Sequence, residues 1–514
     1  MSHPTRRAAL AALGGLGTLA LPRRAPALIA RDRDRPRLAQ GVASGDPTPG
    51  RAVIWSRADR PAAMRVELSP EASFRSPTRI DGPDALAATD YTARLALRDL
   101  PPGQELHYRV SFRDLNTGAW SEPTPGRLTI PGPNRPLTFA WSGDTCGQGY
   151  GIDPRHGDLP IFDPIRAHRP DLFIHCGDLI YADAPLRPEL RLDDGRVWQN
   201  LVTPEKAKVA ETLAEFRGNY RYPHHAPAWR RLLADTALVA QWDDHETKNN
   251  WWPGRTLTED ARYRVKSCDL LAARARRAFF EYLPIAARED HPGRIYRHLP
   301  QGPLLDLFVL DARSHRAPNG PNTEPQPGPT TAFFGDAQLD WLCHALDHST
   351  ATWKLIASDQ PLALDVSHAE THHEALANGR GGRPLGREHE LARLLAHIKH
   401  RRIHNVVWIT ADVHYAAAHH YQPARAAWRD FTPFWEFVAG PLHAGTFGPN
   451  PLDPTFGPEE KYCAIPRDLP PNRSPLDGHQ FYGLGAIDPT TRGLTVSLHR
   501  ADGTRLWHVD LDAR

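Results

Sequence analysis

The stretch Ile174-His175-Cys176-Gly177-Asp178-Leu179-Ile180-Tyr181 decides the fold. It follows the turn signal Arg169-Pro170-Asp171 and opens as a short apolar run, which reads as a buried strand entered through a turn. The run stops at Gly177-Asp178, where a residue without a Cβ lets the backbone bend close to a ligand. Asp178 then stands at the carboxyl tip of the strand, the edge at which open α/β sheets bind ligands. Tyr181 follows within one turn of chain. A carboxylate and a phenol together are hard oxygen donors suited to a hard cation. Gly-Asp also caps ordinary turns, so the reading depends on whether other strands end in the same way.

They do. A strand over 137–141 leads into Ser142-Gly143-Asp144, and one over 236–242 leads into Asp243-Asp244-His245-Glu246. Further runs end at Asp311-Ala312-Arg313, at Ser358-Asp359-Gln360 and at Ala411-Asp412-Val413-His414. A single acidic residue at a strand tip is commonly just the cap of the next helix or turn. Six in order, two of them beside histidines, are poorly explained as separate caps. Carboxylates that converge need cations, because like charges packed together do not all stay ionised. The pattern predicts a polynuclear, oxygen-rich metal centre. No CxxC or Cys/His zinc spacing occurs among the five cysteines; one disulfide is possible, and the sequence gives no pairing. Helical spacing over 159–168, 205–216, 228–233, 266–282, 336–346 and 388–399 alternates with these strands, and 434–438 and the final segments read as further strands. The chain from 133 to 514 is therefore expected to be one large α/β (α+β) domain.

Upstream, residues 31–132 read as a separate small β-sandwich. Strands are expected at 52–55, 65–68, 91–97 and 106–112, divided by Asp46-Pro47, Ser69-Pro70 and Pro101-Pro102-Gly103. The Leu100-Pro101-Pro102-Gly103 turn before a Tyr-Arg-Val strand resembles the fibronectin type III pattern. The region holds no converging ionisable cluster, and its expected role is structural. Before it, Arg6-Arg7, an apolar run over 8–21 and Ala25-Pro26-Ala27 have the order of an export signal, with paired arginines of the twin-arginine kind. Residues 1–30 are thus expected to address the export machinery, and the protein to be periplasmic or secreted. The apolar run is too short for a comfortable membrane span. A net charge of +2 over 514 residues, with no basic block, gives no sign of nucleic-acid binding.

These motifs, in this order, resemble the calcineurin-like metallophosphoesterases, and among them the PhoD-type alkaline phosphatases and phosphodiesterases. Gln40-Gly41-Val42-Ala43-Ser44-Gly45-Asp46-Pro47, Trp242-Asp243-Asp244-His245-Glu246 with Asn249-Asn250-Trp251, and Gln338-Leu339-Asp340-Trp341-Leu342 carry the resemblance from about residue 40 to the last strands. It implies a metallophosphoesterase sandwich behind a small all-β domain. It implies a ferric ion with calcium ions. Asp178 resembles the bridging carboxylate, Tyr181 and His414 the phenolate and imidazole on iron, and Asp244 and Asp412 the carboxylates on the calcium side. Asn249 or Asn250 completes the calcium set. His245 resembles the histidine that faces the substrate phosphate. The family's usual iron-binding cysteine is replaced by Asp144, an aspartate found at the comparable place in purple acid phosphatases. Cys146, two residues on, is the alternative ligand, and zinc or manganese the alternative metals.

The chemistry expected of such a centre is hydrolysis of phosphate monoesters, diesters or both. A cation of high charge acidifies its water and polarises the phosphoryl oxygens. Arg313 is a candidate clamp for a phosphate oxygen, set against an ordinary strand-end ion pair. His245 is a candidate donor to the leaving oxygen. His368, His443, Trp251 and Trp252 are weaker candidates to line the pocket, packing being the simpler role for each. A phospholipase D-like diesterase is the nearest rival. A non-catalytic phosphate- or metal-binding protein is the more distant one, since a binder has no need of His245 beside the metals.

Overall fold

The computed structural model describes residues 31–133, 135–286 and 291–514. The export signal expected over 1–30 lies outside the described residues.

Two sheets form the centre. In the first, the strands Leu137–Ser142, Leu172–Cys176 and Ala237–Gln241 run parallel as neighbours. In the second, Leu305–Val309, Trp353–Ala357, Val406–Thr410 and Phe434–Val438 run parallel. Nearly all these residues are buried, because both faces of each sheet are covered. That is why each reads as a continuous apolar run rather than an alternating one. One shared core lies between the sheets, where Ile174, Val239, Leu307, Leu355 and Ile409 meet. The outer face of the first sheet is closed by the helix Cys268–Tyr282 and its neighbours, and that of the second by Asp336–His348 and Glu388–His400. The antiparallel strands Phe481–Ile487, Leu494–Arg500 and Arg505–Leu511 extend the first sheet at one edge. The result is an α/β sandwich behind an all-β region.

Two helical expectations shorten. The run over 159–168 forms a helix only from Phe162–Ala167. The run over 205–216 breaks, and its helix is Leu213–Arg221. Thr212 starts it, with its hydroxyl accepting from the Glu215 backbone and the Glu215 carboxylate accepting from the Thr212 backbone. This reciprocal cap satisfies two free donors and fixes the helix start well after residue 205.

The N-terminal region divides between two sheets. Strands Thr78–Ala85, Ala62–Ser69, Glu105–Asp114 and Thr124–Thr129 form one of their own. Val42–Thr48, Arg51–Arg57 and Thr92–Leu97 instead continue the first central sheet, through a parallel pairing of Gly45 with Leu238. Asp46-Pro47, a turn signal in the sequence, lies inside the first of these strands, at a register shift between Gly45 and Thr48. The Asp46 carboxylate takes two hydrogen bonds from the buried guanidinium of Arg297, at 2.9 and 2.7 Å. Gly45 is required here: a Cβ would lie 2.5 Å from the Leu238 carbonyl oxygen. All five cysteines are free thiols. Among the described residues no helix is long and apolar enough to cross a membrane.

Candidate metal centre

The carboxyl tips of both sheets meet at one place. A Cβ on Gly143 would stand 2.8 Å from the Ala411 Cβ and 3.1 Å from the Gly177 carbonyl oxygen, so three strand ends touch where only glycine fits. The Asp144 N–H donates to Gly177 O at 3.2 Å, and Thr145 N–H to Asp178 O at 2.8 Å. Four residues just past these tips have left-handed backbones, with φ of 67° at Asp144, 55° at Asp178, 66° at Asp412 and 61° at His414. Non-glycine residues rarely adopt that conformation, and where they do the surrounding fold bears the strain.

Two donor sets result. One atom each from Asp144, Asp178 and His414 lie within 4.8 Å of one another, and so do one each from Asp178, Asp244 and His245. Asp178 belongs to both. The Tyr181 hydroxyl lies 3.0 Å from His414 Nε2, which is 3.4 Å from an Asp144 oxygen. His414 Nδ1 donates to the Gly445 carbonyl, which leaves Nε2 to face the cluster, as metal-binding histidines require. Cys146 belongs to neither set, and burial pushes its thiol up to about 12. The geometry therefore puts Asp144, not Cys146, with Asp178 and His414.

The electrostatics fit a cation. Burial, then the carboxylates of Asp244, Glu246 and Asp144, push the Asp178 carboxyl well above the usual range, against the pull of His245. Burial works the same way on Asp244, but His245 and Arg313 hold it low. Buried oxygens Asp144 Oδ2, Asp244 Oδ1 and Asp243 Oδ2 have no hydrogen-bond partner. Unpartnered buried carboxylate oxygens are costly, and metal ligation is the chemistry that offsets the cost. Asp412 stands beside Asp243 but in neither donor set; desolvation, then Glu374 and Asp244, push it up to about 8.

His245 is held on three sides. Its Nδ1 donates to Asp183 at 2.6 Å, its backbone N–H to Asp178 at 3.1 Å, and its ring stacks on Tyr181 with centroids 4.2 Å apart. Burial opposes its charge, but Asp183, Asp244 and Asp178 raise its pKa well above the ordinary histidine value. Asp183 also accepts from the Asn249 backbone at 2.8 Å, so it fixes the histidine and the next turn together. Glu246 accepts from the backbones of Leu179, Asp243 and Asp178, at 2.8, 2.9 and 3.3 Å, and straps two strand ends. The sequence reading gave neither Asp183 nor Glu246 a role. Their only signal was an extra acid close behind each tip.

Arg313 is a correction. Its side chain has 0% exposure, and its guanidinium pairs with Asp243 and Glu374. It forms the strand-end ion pair that was set against the clamp, with Nη2 left unpartnered 3.7 Å from Asp244 Oδ2. The partner that decides this, Glu374, sits in a loop with no periodicity to mark it and also pairs with Arg316 at 3.0 Å. His443 is likewise structural, with Nε2 donating to the Gly151 carbonyl at 3.1 Å. Trp251 packs edge-on against Trp242 and is buried. His368 does reach the site's rim, where it hydrogen-bonds Asn250 at 2.9 Å.

Comparison with known proteins gives the family and the shared fold. Residues 139–498 match the PhoD-like phosphatase family, and 23–131 match the N-terminal domain of PhoD-like phosphatases. Alkaline phosphatase D of Bacillus subtilis (strain 168) is 27% identical over 397 residues, which cover 73% of this chain. The match spans 64% of that relative's length. The solved structure of PhoD superposes with a TM-score of 0.68 at 19% identity, covering 93% of each chain. A purple acid phosphatase from yellow lupin (Lupinus luteus) superposes with a TM-score of 0.54 at 12% identity, over 93% of this chain and 74% of its own. At such identities the two structures establish the shared fold. The family match, which covers most of the chain, establishes that it belongs to the PhoD-like phosphatases.

Proposed function

We propose that this protein is an exported, metal-dependent phosphoesterase that hydrolyses phosphate monoesters, diesters or both. The observation that carries the reading is Asp178, one carboxylate common to two donor sets. Asp144, Asp178, Tyr181 and His414 would hold the first cation, which the family resemblance makes ferric iron. Asp178, Asp244 and Asp412, with Asn249 or Asn250, would hold calcium; zinc or manganese are the alternatives. Bound there, the cations supply Lewis acidity toward phosphoryl oxygens and acidify water.

The chain's own residues supply the rest. His245 carries the proton: with Nδ1 held by Asp183, its Nε2 is the atom left to donate to the leaving ester oxygen. The Tyr181 ring beneath it and the Asp183 carboxylate beside it fix its orientation before substrate arrives. Arg313 balances Asp243 and Glu374 below the site and keeps Asp244 ionised. The order of paired arginines, apolar run and small residues supports export to the periplasm or beyond.

The test is hydrolysis of a chromogenic phosphate monoester and the matching diester by the mature chain supplied with iron and calcium, across a range of pH. Turnover of either supports the reading, and their ratio sets the monoester or diester preference. No turnover of either, with metals bound in stoichiometric amount, overturns it in favour of a binding protein.

A further inference from the structure

Two partly exposed aromatic side chains, Trp252 and Phe447, lie next to residues of the metal centre. The Asn249-Asn250 turn is pinned at its base, where Asn249 N–H donates to Asp183 and Asn250 N–H to Asp244. Arg255 holds the same turn from outside, donating to the carbonyls of Asn249 and Asn250 at 3.2 and 3.1 Å. The Arg255 guanidinium carbon also lies 4.7 Å from the centroid of Trp252. His368, tied to Asn250, meets Trp252 edge-on with centroids 5.9 Å apart. Trp252 is therefore fixed from two sides by residues that themselves grip the turn beside Asp244. Trp251 next to it is buried, whereas Trp252 stays partly exposed. Beyond the other donor set, the partly exposed Phe447 packs against His414 at 5.5 Å.

We propose that Trp252 is a specificity-determining platform that stacks the flat ring of the ester's alcohol, so that the site selects phosphate esters of aromatic over aliphatic alcohols. This rests on the phosphoesterase reading and deepens it. With Arg255 over one part of the indole, the partly exposed remainder of a tryptophan held rigid beside the ligand turn offers apolar surface at little further entropic cost. The indole grips the alcohol while the ligand cluster grips the phosphate. An aliphatic alcohol has no π-face to present and gains little from the ring.

The test uses the metal-loaded protein with Trp252→Leu and Trp252→Phe, each checked for an unchanged melting temperature. Its readouts are kcat/KM for naphthyl phosphate and for glycerol phosphate, and calorimetric affinity for a naphthyl phosphonate, which is not hydrolysed. In Trp252→Leu we expect about a fivefold or greater loss, on the order of one aromatic pair, in both naphthyl measurements. Glycerol phosphate should change less than twofold, and Trp252→Phe should recover most of the loss. An equal loss on both esters, or no loss on either, overturns the proposal. If the wild-type protein hydrolyses neither monoester, turnover of the matching naphthyl diester decides the phosphoesterase reading separately, and the phosphonate affinities alone then decide the role of Trp252.

Discussion

The two central sheets end in the same kind of residue and use it differently. The first sheet sends Asp144, Asp178 and Asp244 into the donor sets. The second sends Asp311 and Asp359 into local bonding. Asp311 Oδ1 accepts from the Trp242 indole at 2.9 Å and from the backbones of Arg313 and Ser314 at 3.1 and 2.9 Å. Asp359 Oδ1 accepts from the Gln360 backbone at 2.9 Å and from Ser358 at 3.1 Å. Only Val406–Thr410 in the second sheet reaches the metal centre, through His414. Backbone conformation marks most of the contrast: Asp144, Asp178, Asp412 and His414 have positive φ, while Asp311 and Asp359 do not. A tip acid whose chain continues in an ordinary conformation caps its own turn. Asp144 and Asp178, in the left-handed region, enter the donor sets instead; Asp244 does so in an ordinary conformation, and Asp412 has positive φ but lies in neither set.

That contrast breaks most readily at Asp178. Asp178→Asn should release metal from both positions and lower turnover by about a hundredfold or more, at or above the loss seen when a metal ligand's outer partner is removed. Metal analysis of the purified variant checks it; retained stoichiometric metal would remove the bridging role. The same exchange at Asp311 should leave metal content at wild-type level and cost only about 1 kcal/mol of stability, the worth of a cap.

Gly177→Ala probes the contact between tips. Its φ is 102°, and the added Cβ would lie 2.6 Å from the Asp243 Cβ. Backbone strain and overpacking together should cost about 2–4 kcal/mol, read as a shift in denaturant midpoint at constant slope. His245→Ala should separate chemistry from ligation at the first donor set: the cation held by Asp144, Asp178 and His414 stays near wild-type stoichiometry while kcat falls by about a hundredfold, the scale of general acid catalysis. Wild-type turnover in this variant would end the role assigned to His245.

The smallest effect lies away from the centre, under the second sheet. Burial, then Asp453, push Glu388 up to about 8 from an ordinary carboxylate value. The folded state therefore prefers the protonated acid. Its stability is full below the unfolded value and is lost as pH rises toward the folded one. Glu388→Gln should remove that loss, raising the melting temperature at pH above about 8 by a few degrees relative to wild type and changing it little under acid conditions.

Much of this was legible because buried parallel strands print themselves as apolar runs, and their tips follow at once in the chain. Asp144, Asp178, Asp244 and His414 could be marked in that way. What could not be read came from residues whose partners are distant in sequence. Arg313 reads equally as an anion clamp or a strand-end ion pair until Glu374, 61 residues on, is placed against it. Asp183 reads as an ordinary loop acid until His245 is placed against it. Asp46-Pro47 reads as a turn because proline cannot donate to a ladder, yet a register shift accommodates it inside a strand. Local chemistry was visible, and pairing across the fold was not.

The pairing of Gly45 with Leu238 bears on what can be cut away. The strand Ala237–Gln241 has Leu172–Cys176 on one side and Val42–Thr48 on the other, so the β-rich front of the chain serves as its lateral seal. A fragment starting after residue 133 would bare that edge and strand the Arg297 guanidinium without Asp46. Such a fragment should aggregate rather than fold, and the intact protein should melt in one calorimetric transition. The front region and the sheet that carries Asp144, Asp178 and Asp244 stand or fall together, and an engineer who wants a smaller protein would have to trim the surface loops instead.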